Sequence, residues 1–275
     1  MADKVELSSA IRSNLLTLSR TTGLIDRTQN RLSTGLKVAS ALDDAAAFFA
    51  ARSLTNRADD LTGLKDSIDQ GISTIEAAIN GIEAITELIE QAKGLAITAK
   101  ATSDTNERSA LAVQFDALLT QIDSLGNDAS FGGTNLIAGT PDNLTVSFNE
   151  DGSSSLTISG IDSSTGTGGI NVAGAATNFT ADSNIDLAIT AVNSAITTLR
   201  TTAATLGSNA TVLQTRLNFT EDLVNTLEGG AGKLTLADLN EESANLLALQ
   251  TRQQLGINSL SLAAQSERSI LALFG

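Results

Sequence analysis

Long stretches of this chain space their apolar residues alternately four and three positions apart, the seam of a left-handed coiled coil, and this limits its possible folds most. The pattern recurs four times. The first run passes through Ile11, Leu15, Leu18, Thr22, Ile25, Gln29, Leu32 and Leu36, with two polar interruptions. The second follows Ile68, Ile72, Ile75, Ile79, Ile82, Thr86 and Ile89, and the third Leu111, Phe115, Leu118, Ile122 and Leu125. The fourth extends from Ile185 through Ile189, Val192, Ile196, Leu199, Ala203, Leu206, Ala210, Leu213, Leu217, Thr220 and Val224 to Leu227. At 1.5 Å per residue that last run alone predicts a helix roughly 60 Å long. Helices of this length cannot hide their stripes by themselves, so they must lie against other long helices. Three runs precede residue 130 and one follows residue 180, so the chain goes out and returns, as an antiparallel bundle requires.

The residues that are missing point the same way. The chain has 275 residues, 41% of them hydrophobic, but no His, Cys, Trp or Tyr, and a single Pro and a single Met. Its apolar positions are mostly Ala, Leu, Ile and Val, which suit helix packing better than a ligand pocket. Without Cys there are no disulfides or thiolate metal sites, and without His the usual proton shuttle near neutral pH is absent. No cofactor is expected. A net charge of -14 argues against nucleic acid and against an anionic membrane as partners. The opening residues lack the basic and apolar regions of an ordinary secretory signal, and no segment approaches the roughly 18 apolar residues of a membrane span. The expectation is export, if any, by a route that cleaves no such signal.

Between Asn127 and about Ala181 the texture changes to Gly, Ser, Thr, Asn and Asp, with the single Pro141. The alternating patches Leu144-Thr-Val146-Ser-Phe148 and Leu156-Thr-Ile158 read as short strands, and Asn149-Glu-Asp151-Gly152 between them reads as the hairpin turn. A second turn is expected at Glu228-Gly-Gly-Ala-Gly-Lys233. The fold class that follows is mainly α: a long antiparallel helical bundle with a small β-hairpin tip, its N- and C-terminal helices paired.

The two ends carry more apolar surface than one pairing can cover. Leu7, Leu16 and Leu24 fall off the first seam, and Leu246, Leu247, Leu249, Leu255, Ile257, Leu260, Leu262, Ile270 and Leu271 spread around the last segment. A helix apolar on several faces needs several partners. The expected assembly residues are therefore Ile11, Leu15, Leu18, Ile25 and Leu32 at one end, and Leu246, Leu249, Ile257, Leu260, Ile270 and Leu271 at the other.

Three stretches carry a family likeness. Arg31-Leu-Ser-Thr-Gly-Leu-Lys-Val-Ala-Ser-Ala-Leu-Asp-Asp-Ala-Ala46 resembles the N-terminal signature of bacterial flagellins, an R-L-S-[ST]-G stretch followed by S-A-x-D-D-A-A. Phe131-Gly-Gly-Thr-Asn-Leu-Ile137 is similar to the family's F-N-G-x-x-L stretch before its variable region. Gln253 to Phe274 resembles its C-terminal helix. The likeness spans nearly the whole chain apart from about residues 138 to 180. Ala39 stands where many members have Asn, and Ala47 where many have Gly.

The resemblance implies a short flagellin, a subunit of the swimming filament outside the cell. It also implies a division into an inner N-terminal helix (1–42), outgoing outer helices (43–137), a variable surface tip (138–180), a returning outer helix (181–234) and an inner C-terminal helix (235–275). The implied partners are copies of itself or other flagellins, the flagellar export apparatus with an export chaperone, and the filament cap and hook-junction proteins. Many members are also recognised by an animal innate immune receptor through a stretch that falls on Glu90 to Ile97, including Gln91, Lys93, Gly94 and Leu95, with Gln114 nearby. The recognised version has Arg in place of Gln91 and acidic residues in place of Gly94 and Gln114. A Gln cannot replace the planar five-donor group of Arg, so weak recognition is expected. By the same likeness Ser153, Ser154, Ser155, Ser163, Ser164 and Thr165 are candidates for O-linked sugars, against the plain alternative of bare surface hydroxyls.

Rival readings are a hook-to-filament junction protein, a soluble coiled-coil adhesin or scaffold, and a carboxylate hydrolase in the β tip. Asp43 and Asp44 could be taken for a catalytic pair, but adjacent helix residues point about 100° apart, and acidic groups suit a helix start. No phosphate loop, metalloprotease motif or nucleophile elbow is present. The expectation is a structural protein and not an enzyme.

Overall fold

A computed structural model describes residues 9–274 as five α-helices and one small sheet: α1 (Ser9–Thr34), α2 (Ala45–Ala101), α3 (Thr105–Asp128), β1 (Leu144–Ser147), β2 (Ser155–Ile158), α4 (Asp182–Thr235) and α5 (Leu239–Phe274). The described residues bear out the mainly α fold with its β hairpin. The chain divides into two compact units, residues 1–56 with 226–275, and residues 57–225.

In the unit 57–225 the core is a stack of small and branched side chains from α2, α3 and α4 together with the tip. One buried row of α2 runs through Ile68, Gly71, Ile75, Ala78, Ile82, Ile85, Ile89, Ala92, Ala96 and Ala99, an unbroken alternation of three and four, and Ala58, Leu61, Thr74 and Gly81 are buried besides. On α3 the buried line is Arg108, Ala112, Phe115, Leu119, Ile122 and Gly126. One half of each expected seam is therefore correct and the other half is one residue off. Ile72, Ile79, Thr86, Leu111, Leu118 and Leu125 are half-buried at its margin. At Gly71, Ala78, Ala112 and Gly126 the reason is size: where helices approach closely these innermost positions hold Gly and Ala, while larger neighbours pack beside them. A Cβ on Gly81 would meet Ile137 Cδ1 at 2.7 Å and Ala129 Cβ at 2.8 Å. The first half of α4 shows the same shift to Ala188, Ala195 and Thr202, and from Leu213 onward the expected Leu217, Thr220 and Leu227 are buried.

Local chemistry fixes the element ends. Asp104 caps α3, its Oδ1 accepting from Asn106 N at 2.8 Å. Arg108, with its side chain 10% exposed, donates to Thr102 O at 2.7 Å, Thr180 O at 3.2 Å and Asp182 Oδ1 at 2.7 Å. It thereby ties the α2–α3 turn to the start of α4. The stretch Phe131 to Ile137 leaves α3 through Gly132 and Gly133, both at positive φ. Buried Asn135 then donates to Gly126 O and Asn127 O at 2.9 and 3.0 Å and accepts from Ile137 N at 2.9 Å, satisfying carbonyls that the helix end leaves open.

The tip pairs β1 with β2 antiparallel, Leu144 opposite Ile158 and Ser147 opposite Ser155. Val146 and Ile158 face the core, while the hydroxyls of Thr145 and Thr157 meet at 3.1 Å on the other face. Asp123 on α3 accepts from Thr165 N and Oγ1, and Asp116 from Ala175 N, so the long return loop is held against α3. Phe179, at φ 55°, is buried edge-on against Phe115 with ring centroids 5.3 Å apart. Burial of that ring offsets the cost of a left-handed backbone.

The turn expected at Glu228–Lys233 is absent, because α4 continues as helix to Thr235. Glycines cost up to about 1 kcal/mol each there relative to Ala. Packing supplies the compensation: Ala231 is buried, and a Cβ on Gly230 would already touch Leu54 Cδ1 at 3.4 Å.

Candidate functional site

The unit 1–56 with 226–275 brings the chain's two ends together. The α1 helix ends at Gly35, whose φ of 71° lets its N–H reach back to Arg31 O at 2.8 Å. The next residues pair with the link that follows α4: Lys37 N and Val38 N donate to Thr235 O, and Ala237 N donates to Gly35 O. Asp238 then caps α5, its Oδ1 accepting from Asn240 N at 2.9 Å and Glu241 N at 3.2 Å. Two segments far apart in sequence are thus fixed side by side where α1 ends and α5 is about to begin.

The helices α1 and α5 run antiparallel. Arg31 pairs with Glu242 at 2.8 Å, Gln253 donates to Thr22 at 3.4 Å, and Gly256 lies against Leu18. The inward positions of α1 are Ile11, Asn14, Leu18, Thr21, Ile25, Thr28 and Leu32, not the expected row through Leu15, Thr22 and Gln29. Thr21 is tolerated inside because its hydroxyl donates to Thr17 O at 2.9 Å. On α5 the inward row is Glu242, Leu246, Leu249, Gln253, Gly256, Leu260 and Ala263. Both rows are heptads and both are weak. Among the described residues Ile11 and Ile25 are the buried apolar side chains of α1, and α5 has none.

The apolar side chains left over are on the outside. Leu15, Leu16 and Leu24 are exposed on α1, and Leu247, Leu255, Ile257 and Leu262 on α5. Leu255 and Leu262, 64% and 71% exposed, sit about 140° round the helix from its inward row. Of the expected assembly residues, Ile11, Leu18, Ile25, Leu32, Leu246, Leu249 and Leu260 lie in the pair's own seam. Leu15 and Ile257 are open, and the side chains of Ile270 and Leu271, like Leu7, lie outside the described residues.

Charge separates between the units. Residues 1–56 and 226–275 hold ten basic and ten acidic side chains, while 57–225 hold seven and twenty-one, so the whole net charge of -14 is carried by the second unit.

Comparison with known proteins decides the family. The family model for the bacterial flagellin N-terminal helical region matches residues 7–142, and that for the bacterial flagellin C-terminal helical region matches residues 189–274. The chain belongs to the bacterial flagellin family. Flagellin FljM of Caulobacter vibrioides is 35% identical over 99% of this chain and 98% of its own, and a flagellin of Brucella melitensis is 32% identical over 100% and 99%. The crystal structure of Bacillus cereus flagellin, 20% identical, aligns with 56% of this chain and 88% of its own at a TM-score of 0.49.

As a flagellin this chain is a structural subunit of the bacterial flagellar filament, and it is not an enzyme. Asp44 caps α2, its Oδ1 accepting from Ala47 N at 3.0 Å. Asp43 closes the preceding turn by accepting from Ala39 N, Ser40 N and Ser40 Oγ. Hydrogen bonds from the Ser40 N–H and then its hydroxyl hold the Asp43 carboxyl below the usual carboxylate range, helped by Ala39 and Arg31. Gln91, Gly94 and Gln114 are exposed, and Lys93 and Leu95 are half-buried. Of the candidate sugar acceptors, Ser153 and Ser155 are exposed, and Ser154 and Ser164 are half-buried. Ser163 is buried, and Thr165 Oγ1 is engaged by Asp123. No helix among the described residues is long and apolar enough to cross a membrane.

Arg108, Asn135, Glu242 and the fully exposed Leu42 all have structural roles or placements that sequence reasoning missed. Each is a residue type placed against habit, a charge or amide inside or a leucine outside, and spacing alone does not mark such positions.

Proposed function

We propose that subunits polymerise through α1 and α5, whose helices complete their apolar core on neighbouring copies and so fold fully as they assemble. The observation that carries this is the set of uncovered leucines and Ile257 spread over the outer faces of a pair whose seam is nearly without buried apolar side chains. An antiparallel pair so weakly packed is marginal alone. Burying the exposed half of each such residue is worth roughly 1 kcal/mol, so seven of them supply several kcal/mol per copy. That is comparable to the ordering and association costs they must offset. A non-closing screw operation then extends the contact into a fibre.

On this reading residues 1–42 and 235–275 form the inner layer, 43–137 and 181–234 the outer layer, and 138–180 the exposed tip. Export through the flagellar channel, capture by an export chaperone, and contacts with cap and hook-junction proteins follow from the same role. Ser153 and Ser155 are the exposed candidates for a sugar, which at Ser153 would have to displace the hydroxyl's bonds with Asp151 and Asn149; intact mass would reveal it. Gln91, Gly94 and Gln114 give weak recognition by the innate receptor; full activation of reporter cells by purified monomer would refute this.

The assembly reading is tested by a chain lacking residues 1–40 and 236–275. It should keep its helical circular dichroism, from the separate core of residues 57–225, and form no filaments. Filaments from that fragment would overturn the assignment.

A further inference from the structure

Leu42 is 97% exposed, far more than any other large apolar side chain among the described residues. Its backbone stands on a closed turn. The turn on which it stands is closed by Asp43 Oδ2, which accepts from Ala39 N at 3.1 Å, Ser40 N at 3.0 Å and Ser40 Oγ at 3.1 Å. Asp43 N donates to Ser40 O at 3.1 Å, and Leu42 N donates to Ser40 Oγ at 3.3 Å. A leucine on a loose loop would lose entropy on docking, whereas one on a turn fixed by this many bonds loses little.

The same unit has an open, mainly apolar groove of about 500 Å³, lined by Val38, Phe48, Ala51, Thr55, Ala231 and Gly232, with Arg52 and Glu228 also on its walls. The small residues of α4 make the groove: side chains in place of Ala231 and Gly232 would fill it. Leu42 does not occupy it in its own chain, since its surface is open to solvent.

We infer that Leu42 is a knob that enters this groove on a second copy of the chain. Three observations commit the groove to that occupant. The chain belongs to a family of filament subunits, and a screw-related contact joins two unlike patches, so each copy needs a projecting feature and a receiving one. Knob and groove lie in one unit whose ten basic and ten acidic side chains balance, so it is the unit, of the two, that carries no net charge to oppose contact with its copy. The groove also presents Val38, Phe48, Ala51 and Ala231, apolar surface that a neutral leucine matches better than a charged side chain would. This inference rests on the filament reading and adds a specific contact outside the α1 and α5 surfaces.

The chain has no cysteine, so a thiol can be placed at will. Leu42→Cys chains are mixed in turn with Val38→Cys, Thr55→Cys and Gly232→Cys chains, polymerised, and treated with a short thiol cross-linker. Covalent dimers are expected in the mixed filaments with at least one groove position, and not in unpolymerised mixtures. Cross-linking with none of the three, or dimers from Leu42→Cys filaments alone, would overturn the contact. In parallel, Leu42→Ser should raise the critical concentration for polymerisation on the order of tenfold or more, with Leu42→Met near the parent. Unchanged polymerisation of Leu42→Ser would refute the knob. Failure of the unaltered chain to form filaments would refute the filament reading beneath it.

Discussion

Two glycines of α2 separate the packing account from helix propensity. Replacing a helical Gly by Ala stabilises by up to about 1 kcal/mol where space is free. Gly63 is exposed, with nothing within 4 Å of where a Cβ would stand, so Gly63→Ala should show that gain undiluted. At Gly81 the same methyl would lie 2.7 Å from Ile137 Cδ1 and 2.8 Å from Ala129 Cβ. Ile137 is fully buried, and a Cβ cannot swing away as a side-chain tip can. Overpacking of this kind costs about 1–3 kcal/mol, which outweighs the propensity gain. Gly81→Ala should therefore lose between about 0 and 2 kcal/mol while Gly63→Ala gains. For a unit of this size each kcal/mol shifts the midpoint by about 2–4 °C, so thermal unfolding of the monomers should separate the two variants clearly. Gly81→Ala unfolding at or above Gly63→Ala would refute the close approach at this point.

Arg108→Ala removes three hydrogen bonds from a buried guanidinium and should destabilise the monomer by about 2–4 kcal/mol in chemical denaturation. Arg108→Lys should recover only part of it, since an ammonium cannot span the three partners. Because the Asp43 carboxyl is held below its ordinary range in the fold, its contribution is present above the unfolded value and is lost as pH falls through the lowered one. The Ala39 and Ser40 amide resonances should accordingly titrate below the ordinary Asp range, and a midpoint at or above that range would contradict the turn. With the net charge of -14 confined to residues 57–225, neighbouring copies repel. Raising ionic strength from about 0.01 to 0.15 M shortens screening from about 30 to 8 Å, so the critical concentration for filaments should fall; a rise would contradict this picture.

The long helices were legible because the residues at Ile68, Ile75, Ile82 and Ile89 repeat without fail. The other half of each seam was not, because hydrophobic size favours Ile72 and Ile79 over Gly71 and Ala78, while close helix packing favours the small residues. The helix through Gly229 to Gly232 was hidden because glycines in sequence read as a turn, whereas the burial of Leu227 and Ala231 beside them holds α4 helical. The hairpin was legible from its alternation and its Asp-Gly turn.

At the chain ends the surplus of leucines was visible, but which of them face α5 was not. Asn14, Thr21 and Thr28 occupy the inward row of α1, and a buried threonine bonded to its own helix leaves no mark in a hydrophobic pattern. Leu42 sits among Ala39, Ser40 and Asp43, whose hydrogen bonds close the turn, so its exposure became apparent only once the turn was built.

The central claim is that this chain alone carries the surfaces for a filament, and electron microscopy of purified protein after seeding tests it most directly. Long helical filaments of uniform width are the expected result. A protein that stays monomeric, or that gathers only into closed rings or short caps, would contradict the account.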